Sequence, residues 1–170
     1  DVAYGTEMPT AANGHAVRRT LVCDRVGNLK EYLWDARNRC TILREYTGRA
    51  THPALPVSKM SELAITTPPV RPTDPLFFET RYSWNAESLQ TKIVYPNGNI
   101  VEKIYEIDLV STAAQRMRGN LRVERRRPGT HVPAGDQTVT EEQFEYDTGF
   151  GDCGSCGGFN FVKKHTDARG

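Results

Sequence analysis

Apolar and polar side chains alternate along three stretches of the chain: "LKEYLW" (residues 29–34), "SLQTKIVY" (88–95) and "NIVEKIYEI" (99–107). All three are rich in Val, Ile, Leu, Tyr and Trp, which suit a pleated, half-buried surface, and a period of two predicts β-strands. Between and beside them lie "DRVGN", "DARNR", "YPNGN" and "MRGN". In these, Gly or Asn can take positive φ, and Asp, Asn or Pro can start a tight turn. Helical periodicity is weak everywhere; "VSTAAQRMRG" (110–119) is the best candidate, and its place in the pattern argues for strand. The expected fold is all-β, an antiparallel meander of hairpins.

The hairpins recur with a fixed spacing. An aromatic residue precedes an acid or amide, and a Gly expected in a turn follows thirteen positions later: Trp34-Asp35 to Gly48, Trp84-Asn85 to Gly98, and Tyr105-Glu106 to Gly119. From Gly27 to Asp35, and from Gly98 to Glu106, the step is eight, giving a unit of twenty-one. Two positions before the aromatic stands another ring at Tyr32, Tyr82 and Phe144, with Lys103 as the exception. A fourth unit starts at Phe144, Tyr146 and Asp147 and reaches "DARG" only after ten extra residues, close to the length of "GFGDCGSCGG". Such periodicity implies units that bury their apolar faces against one another.

The chain then divides into hairpins at 1–49, a proline-rich inserted loop at 50–78, hairpins at 79–127, a loop and return strand at 128–142, and a last unit at 143–170 with an inserted Cys-x-x-Cys loop. Six prolines in 50–78 deny a ladder its N–H donors, so this segment is expected to be a loop or strap across the sheet, with a short helical turn at "KMSELAI". A partner-binding polyproline segment is its alternative reading.

These residues resemble a known family. "YLWDARNRCTILREYTGR", "YSWNAESLQTKIVYPNGN" and "FEYD" followed by "TDARG" look like Rhs or YD repeats, found in bacterial Rhs proteins, toxin-complex subunits and teneurins; "NGHAVRRTLVCDRVGN" matches more loosely. The resemblance covers about two-thirds of the chain. It implies a hollow β shell, secreted or at the cell surface, that encloses or presents a toxin or effector. About four units are present, whereas a closed shell needs many more. The family's carboxy-terminal segment with its self-cleaving aspartates is absent, so no catalytic residue is carried over. The opening "DVAYGTEMPT" has neither an initiator Met nor a leader pattern, and the chain stops within a repeat, so an excerpt of a longer polypeptide is expected.

Composition adds little. A net charge of +1 and no apolar run near the ~20 residues of a membrane helix suggest neither nucleic acid nor a membrane span. The basic cluster "RVERRRPG" (122–129) reads as a solvated hairpin with cross-strand ion pairs, with Glu124 and the "TEEQFE" strand opposite as neutralising partners; a polyanion patch is the alternative.

Four cysteines are too few for a disulfide scaffold. Cys23 and Cys40 are expected at opposite ends of one strand, on the order of 20 Å apart, as two thiols beyond disulfide reach. Cys153 and Cys156 read first as a local disulfide or structural thiols, second as half a metal site completed elsewhere, and third as a redox pair. No other cofactor is implied.

His15, His52, His131 and His165 fall in separate loops or strand ends, and no hydrolase, phosphate-loop or zinc-protease motif occurs. Glu141 and Glu142 read as an exposed strand edge, and the repeated Tyr and Trp as core or ladder packing. The function the resemblance implies is a structural wall segment rather than an enzyme, with the rest of the same polypeptide, other repeat units and a toxin cargo as partners. The alternative is a cell-surface module that binds carbohydrate or protein or self-assembles by strand addition.

Overall fold

Tight turns that begin at an acid or amide set the geometry of the meander. At Asp24, Asp35 and Asn85 the side-chain Oδ1 accepts from the backbone N–H groups two and four residues on, at 2.8–3.0 Å. The fourth residue of each turn, Gly27, Asn38 or Ser88, has positive φ. Tyr95-Pro96-Asn97-Gly98-Asn99 closes through the same two main-chain bonds, with Asn97 Oδ1 accepting from the Asn99 N–H at 3.3 Å in place of a side chain at the first position. These are three-residue hairpin loops, a type I turn followed by a left-handed residue.

The computed structural model describes residues 2–50, 69–129, 138–147 and 161–168. The strands are β1 (Val2–Thr6), β2 (Arg18–Cys23), β3 (Asn28–Trp34), β4 (Cys40–Arg49), β5 (Phe77–Trp84), β6 (Gln90–Val94), β7 (Ile100–Tyr105), β8 (Leu121–Arg127), β9 (Thr140–Tyr146) and β10 (Val162–Thr166), with one helical turn, α1 (Glu106–Leu109), after β7. Strand order follows chain order throughout, so the fold is an all-β antiparallel meander. The chain forms two compact units, Asp1–Tyr82 and Ser83–Gly170.

In the first unit, β3 points Leu29, Glu31 and Leu33 to its buried face and Lys30, Tyr32 and Trp34 to the other. Leu21, Cys23 and Leu29 form one buried cluster, against which Ala3, Tyr46 and Ala50 pack; Ala16, Leu33 and Ile42 form a second. A single sheet layer can bury Ile42 and Ala16 because the loop between β1 and β2 folds over it. Asn13 ties that loop down, accepting from Thr10 and Ala16 N–H and donating to the Met8 carbonyl. Cys23 and Cys40 lie at opposite ends of β3, paired with Leu29 and Trp34, as the hairpin reading requires. Burial pushes the Cys40 thiol up to about 11.

Register exposes the repeat. The hairpins β3–β4, β7–β8 and β9–β10 share one pairing pattern: Trp34 with Cys40, Tyr105 with Leu121, Tyr146 with Val162. Each then skips one residue of the return strand, Thr41, Arg122 or Lys163, as a bulge and resumes pairing. The acid or amide after each aromatic donates its N–H to the carbonyl that opens the return strand: Asp35 to Arg39, Asn85 to Leu89, Glu106 to Asn120, Asp147 to Phe161. The first two loops close four residues on and the last two fourteen, so the ten extra residues expected in the last unit recur in the preceding one.

That length difference corrects the assignment of Gly119. It lies in the loop between β7 and β8, so its thirteen-residue spacing from Glu106 does not place it in the same turn as Gly98. Counted from the closing residues Arg39, Leu89 and Asn120, the equivalent glycines nine positions on are Gly48, Gly98 and Gly129. Gly119 does lie in a turn, that of the longer loop, whereas Gly48 does not: it is within β4 and bridges to Pro69. Residues 110–119, read from sequence as strand, form turns, because the helical turn α1 diverts the chain as β7 ends.

Other boundaries shift by a few residues. β5 begins at Phe77, inside the range assigned to the proline-rich loop, and β9 runs across the 142/143 boundary. The end of the proline-rich loop runs beside β4, where Thr47 N donates to the Leu76 carbonyl at 3.1 Å and Val70 N to the Thr47 carbonyl at 3.2 Å. "KMSELAI" lies outside the described residues.

Gly129 seats against the neighbouring turn. Its N–H donates to Asn99 Oδ1, and an added Cβ would lie 2.1 Å from the Asn97 carbonyl oxygen. Gly129→Ala is expected to destabilise the protein by about 1–3 kcal/mol, because the 95–99 turn must move, and chemical denaturation measures it.

Candidate functional site

The most elaborate polar cluster lies in the first unit. Glu31, with a side chain 1% exposed, faces inward from β3 between Leu29 and Leu33. Arg19 Nη1 of β2 donates to one carboxylate oxygen at 3.0 Å, and Arg44 Nη1 of β4 to the other at 3.0 Å, where the Tyr46 hydroxyl joins it at 3.2 Å. Outward from this hub, Arg19 Nε lies 2.9 Å from Glu7, a Coulombic contact without hydrogen-bond alignment. Arg44 Nε donates to Glu79 at 2.7 Å, and Arg81 donates to the other oxygen of Glu79 at 2.7 Å.

Acids and bases thus alternate from the loop after β1 to β5. The register makes this so, since Glu31 pairs across from Arg44 and Arg44 from Glu79. The Arg44 guanidinium also lies 4.9 Å above the Phe77 ring.

The electrostatics are those of a locked network. Burial opposes the charge on Arg44, but Glu79 and Glu31 outweigh it and raise its affinity for the proton. Burial, then the negative charge of Glu31, pushes the Tyr46 phenol up to about 12. Each Glu31 oxygen is already held by a donor. Such an arrangement crosslinks strands and has no open position for a reacting atom.

The second unit repeats the pattern at its surface. Glu102 is four residues before Glu106, as Glu31 is before Asp35, and pairs in register with Arg125 as Glu31 does with Arg44. Arg125 donates to Glu141, Arg126 to Glu124 at 2.7 Å, Arg127 to Glu102 at 2.8 Å, and Arg122 to Glu106 at 2.8 Å. The arginines of "RVERRRPG" are therefore all matched by acids, and half of those acids come from β7 and its end rather than from the strand expected. Bond formation with Arg125 holds the Glu141 carboxyl below its usual range.

The aromatic positions act as ladder packing. None of Tyr32, Trp34, Tyr82, Trp84, Tyr105, Phe144 and Tyr146 belongs to the buried clusters; all are half-buried. Tyr32 and Trp34 stack at 5.9 Å on the face of β3 opposite the core, and Trp34 Nε1 donates to Thr20. Tyr105 donates to the Gln90 carbonyl. At the equivalent position two residues earlier, each side chain matches its partner: Tyr32 faces Leu43, Lys103 pairs with Glu124 at 4.0 Å, and Phe144 stacks on His165 at 4.7 Å.

The acids after the aromatics organise loops. Asp35 receives Arg39 Nε at 2.7 Å, Asn85 donates to Asp108 at 3.0 Å, and Glu106 is buried beside Arg122. Burial opposes ionisation of Asp35, but Arg39 and the backbone N–H groups of Arg39 and Arg37 outweigh it, so its carboxyl titrates below the usual range. A carboxyl depressed on folding stabilises the fold above its unfolded pKa and loses that contribution as pH falls through the folded value. Asp35→Ala is expected to cost about 1–2 kcal/mol at neutral pH, and less as the pH falls below ~3.9; urea titrations at both pH values measure the difference.

Among the described residues no group of three His, Cys, Asp or Glu side chains converges as metal ligands, and no helix is long and apolar enough to cross a membrane. Cys153, Cys156, His52 and His131 lie outside the described residues. The sequence reading missed the Glu31 network, although Glu31 occupies an inward parity position between two leucines. Neither models of known protein families nor the curated proteins yield a match to this chain.

Proposed function

We propose that the chain is a wall segment of a larger Rhs-type shell, which acts by exclusion: a continuous sheet keeps an attached toxin or effector from solvent and proteases. The observation that carries this reading is the shared register of β3–β4, β7–β8 and β9–β10, with the same bulge and the same closing bond in each. Identical hairpins paired in chain order can be extended by further copies at either end.

Three features agree with it. Among the described residues β1 pairs only with β2; it carries no charge and Val2 and Tyr4 are more than half exposed, which suits an edge that takes another strand. In the second unit β6 and β7 are half-buried along their whole length, as a wall would be before a neighbour covers it. The buried carboxylate network, closed to substrate, suits a structural rather than catalytic role, and a shell of this kind would be secreted or displayed at the cell surface.

Immunoblotting of the native source with an antibody to this chain, followed by peptide mapping, tests the proposal. A polypeptide well above ~100 kDa with further units of the same register is the expected result. A stable 19 kDa species would overturn it.

A second reading, a surface-recognition module for carbohydrate or protein, is favoured by the aromatic side chains presented to solvent: Tyr4, Phe78 and Tyr95 are 74%, 45% and 40% exposed.

A further inference from the structure

A groove of about 380 Å³ opens in the second unit where the 95–99 turn, the end of β8 and the start of β9 meet. Its volume is in the range of small-molecule sites. Its walls combine two kinds of surface. The Tyr95 ring, 40% exposed, and the Ile100 side chain supply an apolar platform, while Asn99, Arg126, Arg127 and Thr140 supply hydrogen-bonding groups.

The charges of this groove are already balanced. Arg126 donates through Nε and Nη2 to Glu124, at 3.0 and 2.7 Å, and its Nη1 lies 3.6 Å from Glu142. Arg127 donates through Nε to Glu102 at 2.8 Å. An anion entering here would have to compete with three carboxylates for two guanidiniums. The hydrogen-bonding capacity is not exhausted, however. Among the described residues Arg127 keeps its Nη groups as donors, Asn99 uses only Oδ1, on the Gly129 N–H, and the Tyr95 and Thr140 hydroxyls can donate or accept.

We infer that this groove binds a neutral glycan, a pyranose ring stacked on Tyr95 with its hydroxyls bonded to Asn99, Arg127 and Thr140. An exposed ring beside planar polar groups held by carboxylates matches a molecule with one apolar C–H face and a rim of hydroxyls, each of which both donates and accepts. Guanidiniums fixed by acids are preorganised and lose little freedom when the ligand arrives. The inference gives the recognition reading a place and a ligand class and rests on it; it is independent of the wall reading.

The test uses the full chain, isotopically labelled, titrated with a panel of methyl glycosides and neutral disaccharides and followed by amide chemical shifts. Saturable shifts at Asn99, Val101, Arg127 and Thr140 are expected, with a dissociation constant on the order of 1–10 mM, as suits a shallow site. Tyr95 serves its turn only through main-chain atoms. Tyr95→Ala should therefore retain the spectrum of the folded chain and weaken binding at least tenfold, while Tyr95→Phe keeps the stacking and most of the affinity.

Sugar binding that Tyr95→Ala leaves intact would overturn the groove and leave recognition standing at another surface. No saturable shift with any sugar would overturn both. Saturation of the same amides by inorganic sulfate would show an anion site and overturn the neutral-ligand inference.

Discussion

Glu31→Gln is expected to lower stability by about 3–5 kcal/mol, measured by urea denaturation at neutral pH. The isosteric amide keeps the volume of the side chain but removes the charge that faces Arg19 and Arg44 at 3.0 Å each. One amide oxygen must then serve where two carboxylate oxygens served, and the amide nitrogen is turned toward a guanidinium or the Tyr46 hydroxyl, donor against donor. The cost is the penalty of leaving two half-buried guanidiniums each short of one carboxylate, Arg19 keeping Glu7 and Arg44 keeping Glu79, which exceeds the net worth of the pairs themselves. The double replacement Glu31→Leu with Arg44→Met should therefore recover part of the loss, whereas additive losses would show that the network stabilises by attraction alone.

Ile42→Ala is expected to cost about 2–5 kcal/mol and Ile42→Val about 0.5–1.5 kcal/mol. Ile42 is 0% exposed and packs with Ala16 and Leu33 where the loop between β1 and β2 lies over the sheet. Few side chains are fully buried in this unit, so little neighbouring mass can relax into the space left by three carbons. The loop should loosen with the cavity. Hydrogen exchange at the Ala16 N–H, which donates to the Asn13 carbonyl and side chain, should accelerate in Ile42→Ala and remain slow in Ile42→Val.

Strands and tight turns were legible because each depends on residues close together in the chain. Period-two alternation marked β3, β6 and β7, and an acid followed by a residue that tolerates positive φ marked the turns at Asp24 and Asp35; the turn at Asn85 was not marked, because Ser88, read as the start of a strand, takes the positive φ there. The repeat was legible through the aromatic and acid pairs, whose roles are local: the acid closes the loop and the aromatic pairs at its mouth. The glycine spacing was only half reliable. It marks equivalent ladder positions, Gly48 and Gly98, in hairpins with four-residue closure, although only Gly98 is in a turn; after Glu106 a fourteen-residue closure puts Gly119 in a turn of the loop and moves the equivalent position to Gly129. The same longer loop explains why 110–119 does not continue as strand.

Long-range pairing was less legible. Glu79 reaches Arg44 across a connection of more than twenty residues, so nothing local announces it. For "RVERRRPG" the opposing "TEEQFE" identified Glu141 and Glu142, but Glu102 and Glu106 required the register of β7. The aromatic pairs were visible as a pattern and not as a face, because parity alone does not say which side of a sheet a loop covers.

The closing bond between an acid N–H and the first carbonyl of the return strand separates two properties that most hairpins couple. Register is decided below the bond and loop length above it, since Asp35 and Glu106 open the same ladder although one loop closes after four residues and the other after fourteen. Lengthening a loop costs only logarithmically in closure entropy, about 0.6 kcal/mol for each doubling. Each such hairpin is thus a socket: foreign peptides could be spliced between Asp35 and Arg39, or between Glu106 and Asn120, with the sheet beneath left in frame.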